Sequence, residues 1–331
     1  LEIAMDGAGA AHVVATNEEG VIYLSNRSGS WTRQRITSPP PGGYDGNLSL
    51  GVDRDGSLTL ALTRFGDWFC FGIGCVAQEP AGIYLMSGDG RAWSEPSAIA
   101  EGPNWESSLA VDGGPAHIAF ARQDNKGGSS IHYGTNAGGS WSVEQVAVAA
   151  YEPHLELAPD GTARLAFVEE TGSAVYLTAA SGTGTFSVET LPGGSSTFAL
   201  DAAGRPHVIT GSSHFTHDGS SWTEPMAVFE PARLEYGDGE FDEVVVHAGA
   251  IDVRNGTVHV ISSNDYSSGA GVWYANNATG PFMPVQLWAA DGFVEDGPSG
   301  SSGIAVDASG RAHAVFTKPD GGIWYAGPPS Q

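Results

Sequence analysis

The chain is short of positive charge, short of cysteine and without any long apolar run, and each shortage excludes something. Its 331 residues carry 14 Lys and Arg against 38 Asp and Glu, a formal charge of −24. Lysine occurs only at Lys126 and Lys318. A field of that sign repels nucleic acid and anionic membranes, so neither is expected as a partner. It also disfavours a strongly anionic polymer unless a local arginine cluster or a cation intervenes. No apolar stretch approaches the roughly 20 residues of a spanning helix. No leader segment stands before Leu1, which suits either a mature secreted form or a cytosolic one.

Cysteine usage favours secretion. Cys70 and Cys75 are the only two, inside the unusual segment Arg64 to Val76. A disulfide closing so short a loop would contribute about 2 kcal/mol, mainly by restricting the unfolded chain. Two free thiols or half of a metal site are the alternatives, and one Cys pair without a second is a weak zinc signal. The expectation is a disulfide in an acidic protein secreted by a bacterium, extracellular or periplasmic.

Glycine, in contrast, is abundant, with 47 residues, and one phrase keeps returning. It comprises an apolar run ending in Asp, a Gly turn, a second apolar run opening on His, an aromatic strand and a Gly–small–Trp turn. The clearest copy runs through Leu109 to Asp112, Gly113, His117 to Phe120, Ile131 to Tyr133, Gly139 to Trp141 and Val143 to Val146. Seven copies occupy approximately 1–38, 48–100, 106–148, 153–192, 196–229, 244–288 and 301–331. Periods of this length mark blades, solenoids or arrays. The runs are short, rich in Val, Ile, Leu and aromatics, and bounded by Gly, Asp, Asn and Ser, with no helical periodicity. Four antiparallel strands repeated seven times describe an all-β chain folded as one seven-bladed β-propeller domain. The last copy stops before a fourth strand. Either that blade has three strands, or residues beyond the given ends complete it.

The turn Ser87 to Trp93, reading Ser-Gly-Asp-Gly-Arg-Ala-Trp, resembles the Asp box, the S/T-x-D-x-G-x-x-W/F hairpin of bacterial-neuraminidase repeats in sialidase-like propellers. His217 to Trp222 matches in part, with Gly219 directly after Asp218. Ser25 to Trp31, Thr135 to Trp141 and Asn276 to Phe282 are looser, with the Asp replaced. The resemblance implies a sialidase-like fold and an extracellular, carbohydrate-related milieu. It rests on a structural hairpin and implies no activity. A sialidase proper is disfavoured, because no Arg-Ile-Pro phrase and no evident arginine triad occur.

His12, His117, His207, His259 and His313 share one place, the start of a second strand. Equivalent places in a propeller lie a blade apart, too far to share a metal. Each is expected to bond backbone or the turn Asp of its own blade: Asp6, Asp112, Asp201 or Asp307. The turn tryptophans Trp31, Trp93, Trp141 and Trp222 are expected to wedge between outer strands.

Function is expected where the copies differ, on loops held by a rigid scaffold. The long connections bring aromatics (Trp68, Phe69, Trp105, Tyr151, Tyr236, Tyr266, Trp288), carboxylates, His154 and His247 toward one rim. Stacking aromatics beside acids are the chemistry of sugar recognition. The ligand-binding candidates are Trp68, Trp105, Glu106, Tyr151, Glu152, His154 and His247, expected to converge at the channel mouth. A glycosidase needs two carboxylates about 5–10 Å apart, and a lyase a base such as His154 or His247 with a Tyr. Glu106, Glu152, His154, His247 and Asp242 are the catalytic candidates, with Asp296 a further carboxylate on position alone. Asp238, Glu240 and Asp242 alternate like the start of a calcium loop, but the full EF-hand phrase is absent. A solvated acidic loop is the expectation there, calcium the alternative, and no cofactor is required.

These readings lead to a secreted propeller that recognises a carbohydrate or another extracellular ligand on its loop-rich face. A hydrolase or lyase working from that face is the alternative, and a protein-interaction platform the third class, since fold does not dictate function.

Overall fold

A computed structural model describes residues 1–39, 42–66, 68–71, 74–77, 82–123, 128–179, 186–191, 197–229, 232–235, 241–244, 248–264, 271–289, 302–318 and 322–327. Side chains are described for these except 68–71, 74–77, 179, 232–235, 241–244, 248, 263–264 and 289. Among the described residues strands alone make up the regular structure, as an all-β propeller of seven antiparallel blades, the seventh three-stranded. The chain divides into two compact units, Leu1–Leu191 with four blades and Pro192–Gln331 with three.

In the first unit the inner strands are Glu2–Met5, Tyr44–Val52, Asn104–Ala110 and Ala150–Leu157. Each pairs with a second strand: Ala11–Asn17, Leu58–Phe65, His117–Gln123 and Ala163–Glu169. A third and an outer strand follow, the outer ones being Thr32–Arg35, Ser97–Glu101, Ser142–Val148 and Phe186–Thr190. The second strands carry apolar, buried runs through their middles, such as Val13 to Ala15, Leu60 to Leu62, Ile118 to Ala121 and Leu165 to Val168, as strands covered on both faces do. Accordingly the core lies between blades. Val14, Tyr23, Leu50, Leu60 and Met86 form one cluster across blades one and two. Ala61, Ile83, Leu109, Ile118 and Phe120 join two to three, and Tyr133, Leu155, Leu165 and Phe167 belong to the cluster joining three to four. Inner strands are also tied side by side. Leu109 N donates to Ser49 Oγ at 2.9 Å and Leu155 N to Ser108 Oγ at 2.9 Å, so a serine satisfies an edge N–H of the next blade.

The second unit repeats the plan. Its inner strands are Phe198–Leu200, Ala248–Arg254 and Ser302–Val306. Ile209, Ile251, Val260 and Phe282 share one cluster, and Ile261, Val272, Ile304 and Phe316 another. The Val306 N–H donates to Asp252 Oδ2 at 2.6 Å, the counterpart of the serine ties. Two extra hairpins lie outside the blades, Trp68–Phe71 with Gly74–Ala77 and Ala232–Glu235 with Phe241–Val244. Cys70 and Cys75 are direct cross-strand partners in the first. Their side chains lie outside the described residues.

The repeated histidines are structural. His12 Nδ1 meets Tyr23 Oη at 2.6 Å, His117 meets Tyr133 at 2.5 Å, His259 meets Tyr274 at 2.7 Å and His313 meets Tyr325 at 2.5 Å. In the fifth blade His214 replaces the tyrosine, 3.1 Å from His207. The other ring nitrogen faces the turn carboxylate of Asp6 (3.3 Å), Asp201 (3.6 Å) or Asp307 (3.3 Å). Asp112 departs from that pattern. Arg54 of the preceding blade holds it with two parallel bonds of 2.5 and 2.6 Å, a fork that outcompetes a single imidazole contact.

The tryptophan turns are less uniform than expected. In the Ser87 to Trp93 turn, Asp89 Oδ1 accepts the N–H groups of Arg91 and Ala92, both at 2.8 Å. Gly88 is required there, because a Cβ would lie 2.6 Å from the Trp93 ring. Trp93 packs edge-on to Tyr23 of the first blade at 5.3 Å, and Trp141 packs on the cluster between blades two and three. Trp31 instead stays 41% exposed.

Candidate functional site

Three inner strands of the first unit break register at the same place. The breaks fall between Gly46 and Ser49, Trp105 and Ser107, and Tyr151 and His154. In each break a non-glycine residue takes the left-handed conformation: Asn47 (φ 43°), Glu106 (φ 44°) and Glu152 (φ 53°). Each stands three residues before a buried leucine, Leu50, Leu109 or Leu155. A β-bulge re-aims a side chain, and holding an L-residue in this region costs about 1–2 kcal/mol. Such strain persists only where the surrounding structure holds it, and it is found often at binding and active sites.

The bulges touch from blade to blade. Ser107 Oγ donates to the Asn47 carbonyl at 3.3 Å, and the Glu152 N–H donates to Glu106 Oε2 at 2.8 Å. Local burial, together with the Glu106 charge, pushes the Glu152 carboxyl up from its ordinary range. Beyond the bulge, His154 Nε2 lies 3.7 Å from Glu156 Oε1, both side chains over one-third exposed. Glu2, on the first inner strand, is pushed up by burial and partly offset by the Leu1 amino group and by His154. On the second blade, Tyr44 is 51% exposed and stacks on Phe65, centroids 4.5 Å apart. Beneath it, Asp45 is buried against Arg64, whose Nε and Nη2 donate at 2.8 and 3.2 Å.

Glu106 and Glu152 are thus brought together, with His154 and Glu156 on the same strand as Glu152. Trp105 is half-buried against the core between blades three and four, its Nε1 without a partner. Tyr151 is half-buried and pairs with Val168. Asp238, Glu240, His247, Tyr236, Tyr266 and Asp296 lie outside the described residues, as do the side chains of Trp68, Phe69 and Asp242. The calcium candidates Asp238 and Glu240, the side chain of the third, Asp242, and the lyase candidate His247 therefore lie there. Among the described residues no group of three His, Cys, Asp or Glu is placed to hold a metal.

Asn47, Glu2 and Glu156 escaped the sequence reading. Asn47 was findable, because it occupies the column of Glu106 and Glu152, three before the apolar leucine. Glu2 was not, since its link to His154 crosses blades. Chemically, the cluster offers carboxylate acceptors for hydroxyls, two carboxyls, Glu152 and Glu2, shifted toward their protonated forms, an imidazole, and the exposed Tyr44 ring.

No protein-family model matches the chain, and no curated protein matches it. Solved structures match at the level of fold. An ulvan lyase of a new polysaccharide lyase family, bound to glucuronate linked 1-4 to 3-sulfated rhamnose, gives a TM-score of 0.62 at 13% identity, over 97% of this chain and 90% of its own. A Hadza microbial sialidase gives 0.58 at 12% identity, over 98% of this chain and 64% of its own. A six-bladed Aleuria aurantia lectin gives 0.52 at 11% identity, over 87% and 94%.

Proposed function

We propose that this propeller binds a carbohydrate at the inner-strand bulges of its first unit, through Glu106, Glu152, His154 and Glu156, with Tyr44 as a stacking surface. The observation that carries the reading is the repeated left-handed bulge, which joins Glu106 to Glu152 across two blades. Ionised carboxylates accept from vicinal hydroxyls, and an exposed aromatic ring stacks on the apolar face of a pyranose. The propellers that share its fold include a lyase acting on ulvan, a sialidase and a lectin with a fucose recognition mode, which agrees with that chemistry.

A catalytic reading is favoured by one feature, the raised Glu152 carboxyl beside Glu106. A carboxyl held toward its protonated form beside a second carboxylate is the acid and base pattern of glycoside hydrolysis. A glycan array run with reducing-sugar and unsaturated-uronate assays tests both readings. Binding without turnover, lost in Glu106→Gln, supports the binder. Turnover lost in Glu152→Gln supports the enzyme, and glycan binding unaffected by either variant overturns the site.

Secretion belongs to the same reading. Directly opposed residues of an antiparallel pair have Cα atoms about 4.5–5.5 Å apart, within disulfide range, and Cys70 and Cys75 are so opposed. Thiol titration of the native protein should find almost none; two reactive thiols remove this support for an oxidising compartment.

A further inference from the structure

A second feature of the first unit shares no residue with the bulges. Between blades one and two lies a polar cleft of about 350 Å³, lined by Arg35, Ile36, Ser38, Arg64, Glu95 and Pro96 among others. Arg35 ends the outer strand Thr32–Arg35, is exposed, and has no acidic partner among the described residues. Arg64 spends Nε and Nη2 on Asp45 and lies over the Tyr84 ring at 5.0 Å, which leaves Nη1 to donate. Asp45 neutralises Arg64, so the free positive charge comes from Arg35, with Arg33 two residues earlier on the same side of the strand.

The local sequence is exceptional for so acidic a chain. From Gly20 to Tyr44 there are three arginines, Arg27, Arg33 and Arg35, and no Asp or Glu, against −24 overall. Arg27 is occupied elsewhere, near Asp6 at 3.8 Å and donating to the Asp89 carbonyl at 3.2 Å. Arg35 is therefore the basic group of the cleft left without an acidic partner among the described residues, with Arg33 on the same face of its strand. On the far wall Glu95 supplies an acceptor. Ser38 supplies a hydroxyl, as does Thr37, whose oxygen accepts the Val21 N–H at 2.9 Å. Ile36 and Pro96 are apolar. The volume sits at the small end of ligand pockets.

We propose that this cleft binds a single anionic sugar ring, its oxyanion on Arg35 and Arg64 and its hydroxyls on Glu95 and Ser38. A carboxylate and a sulfate ester offer the arginines the same bidentate oxygens. The site stands or falls independently of the bulge site, because neither test touches the other's residues.

Calorimetric titration of the full chain with glucuronate, glucose 6-sulfate, glucose and inorganic sulfate tests it. The wild type should bind at least one anionic sugar about 10-fold tighter than glucose or inorganic sulfate, and the stronger of the two identifies the oxyanion. Arg35→Ala, with an unchanged circular dichroism spectrum, should weaken that binding about 10-fold, the loss of one charge-assisted contact. Arg91→Ala removes the same charge from an exposed turn and should change it less than about twofold. Glucose binding as tightly as either anionic sugar, equal loss in both variants, unchanged binding in Arg35→Ala, or no binding at all overturns the proposal. Inorganic sulfate binding as tightly as the sugars overturns it too, by removing the ring.

Discussion

Replacing Glu152 by glycine separates strain from contacts. Glu152 is held at φ 53°, a conformation that costs an L-residue about 1–2 kcal/mol and glycine almost nothing. Glycine also adds unfolded-state entropy worth about 0.5–1 kcal/mol. The interblade bond survives, because it is the backbone N–H of residue 152 that donates to Glu106 Oε2 at 2.8 Å. Glu152→Ala keeps that bond and the strain, and loses the same carboxylate. Relief minus entropy leaves Glu152→Gly more stable than Glu152→Ala by about 0.5–1 kcal/mol, a shift of about 2 °C for a unit of this size. Scanning calorimetry of both variants reads the difference, and glycan binding should fall equally in both. A glycine variant that melts below the alanine one would refute the strain argument. Equal stability with intact binding would refute the functional reading of the bulge.

Other outcomes follow from the electrostatics and packing. The Glu152 carboxyl is raised, so its ionisation costs stability as pH climbs from the unfolded value, about 4.3, through the folded one; denaturation of Glu152→Gln should match wild type below pH 4 and exceed it at pH 7. Burial, with His207 beside it, lowers His214 to about 4, so wild-type stability should fall between about pH 6.5 and 4, and His214→Tyr, restoring the pair found in four other blades, should flatten that limb in urea titrations. Arg64→Met leaves Asp45, whose side chain is wholly buried, unpaired and should cost about 3–5 kcal/mol, while Asp45→Leu combined with Arg64→Met should recover most of it; a single variant as stable as wild type would deny the pair its role. Tyr133→Phe removes the bond to His117 and should cost about 1 kcal/mol with glycan binding unchanged, whereas lost binding at full stability would move the site to the histidine ladder.

The repeat alone was enough to name the blades and their number, because strand, turn and apolar period are local properties written into each copy; the choice between a three-stranded last blade and one completed elsewhere it left open. Likewise, the equivalence of His12, His117, His207, His259 and His313 was legible, as was the pairing of His12, His207 and His313 with the turn Asp of their own blades. Their tyrosine partners were not, although Tyr23, Tyr133, Tyr274 and Tyr325 stand in one column, since that contact depends on how the second and third strands register. Nor could any spacing say that Asp112 would turn to Arg54, or that Trp105 would pack inward while Glu106 beside it turned to meet Glu152. Such choices are made where one blade lies against the next. There a bulge, a forked arginine or a serine answering a neighbour's N–H is decided by residues about 50 positions apart, and a pattern that repeats within a blade holds no record of them.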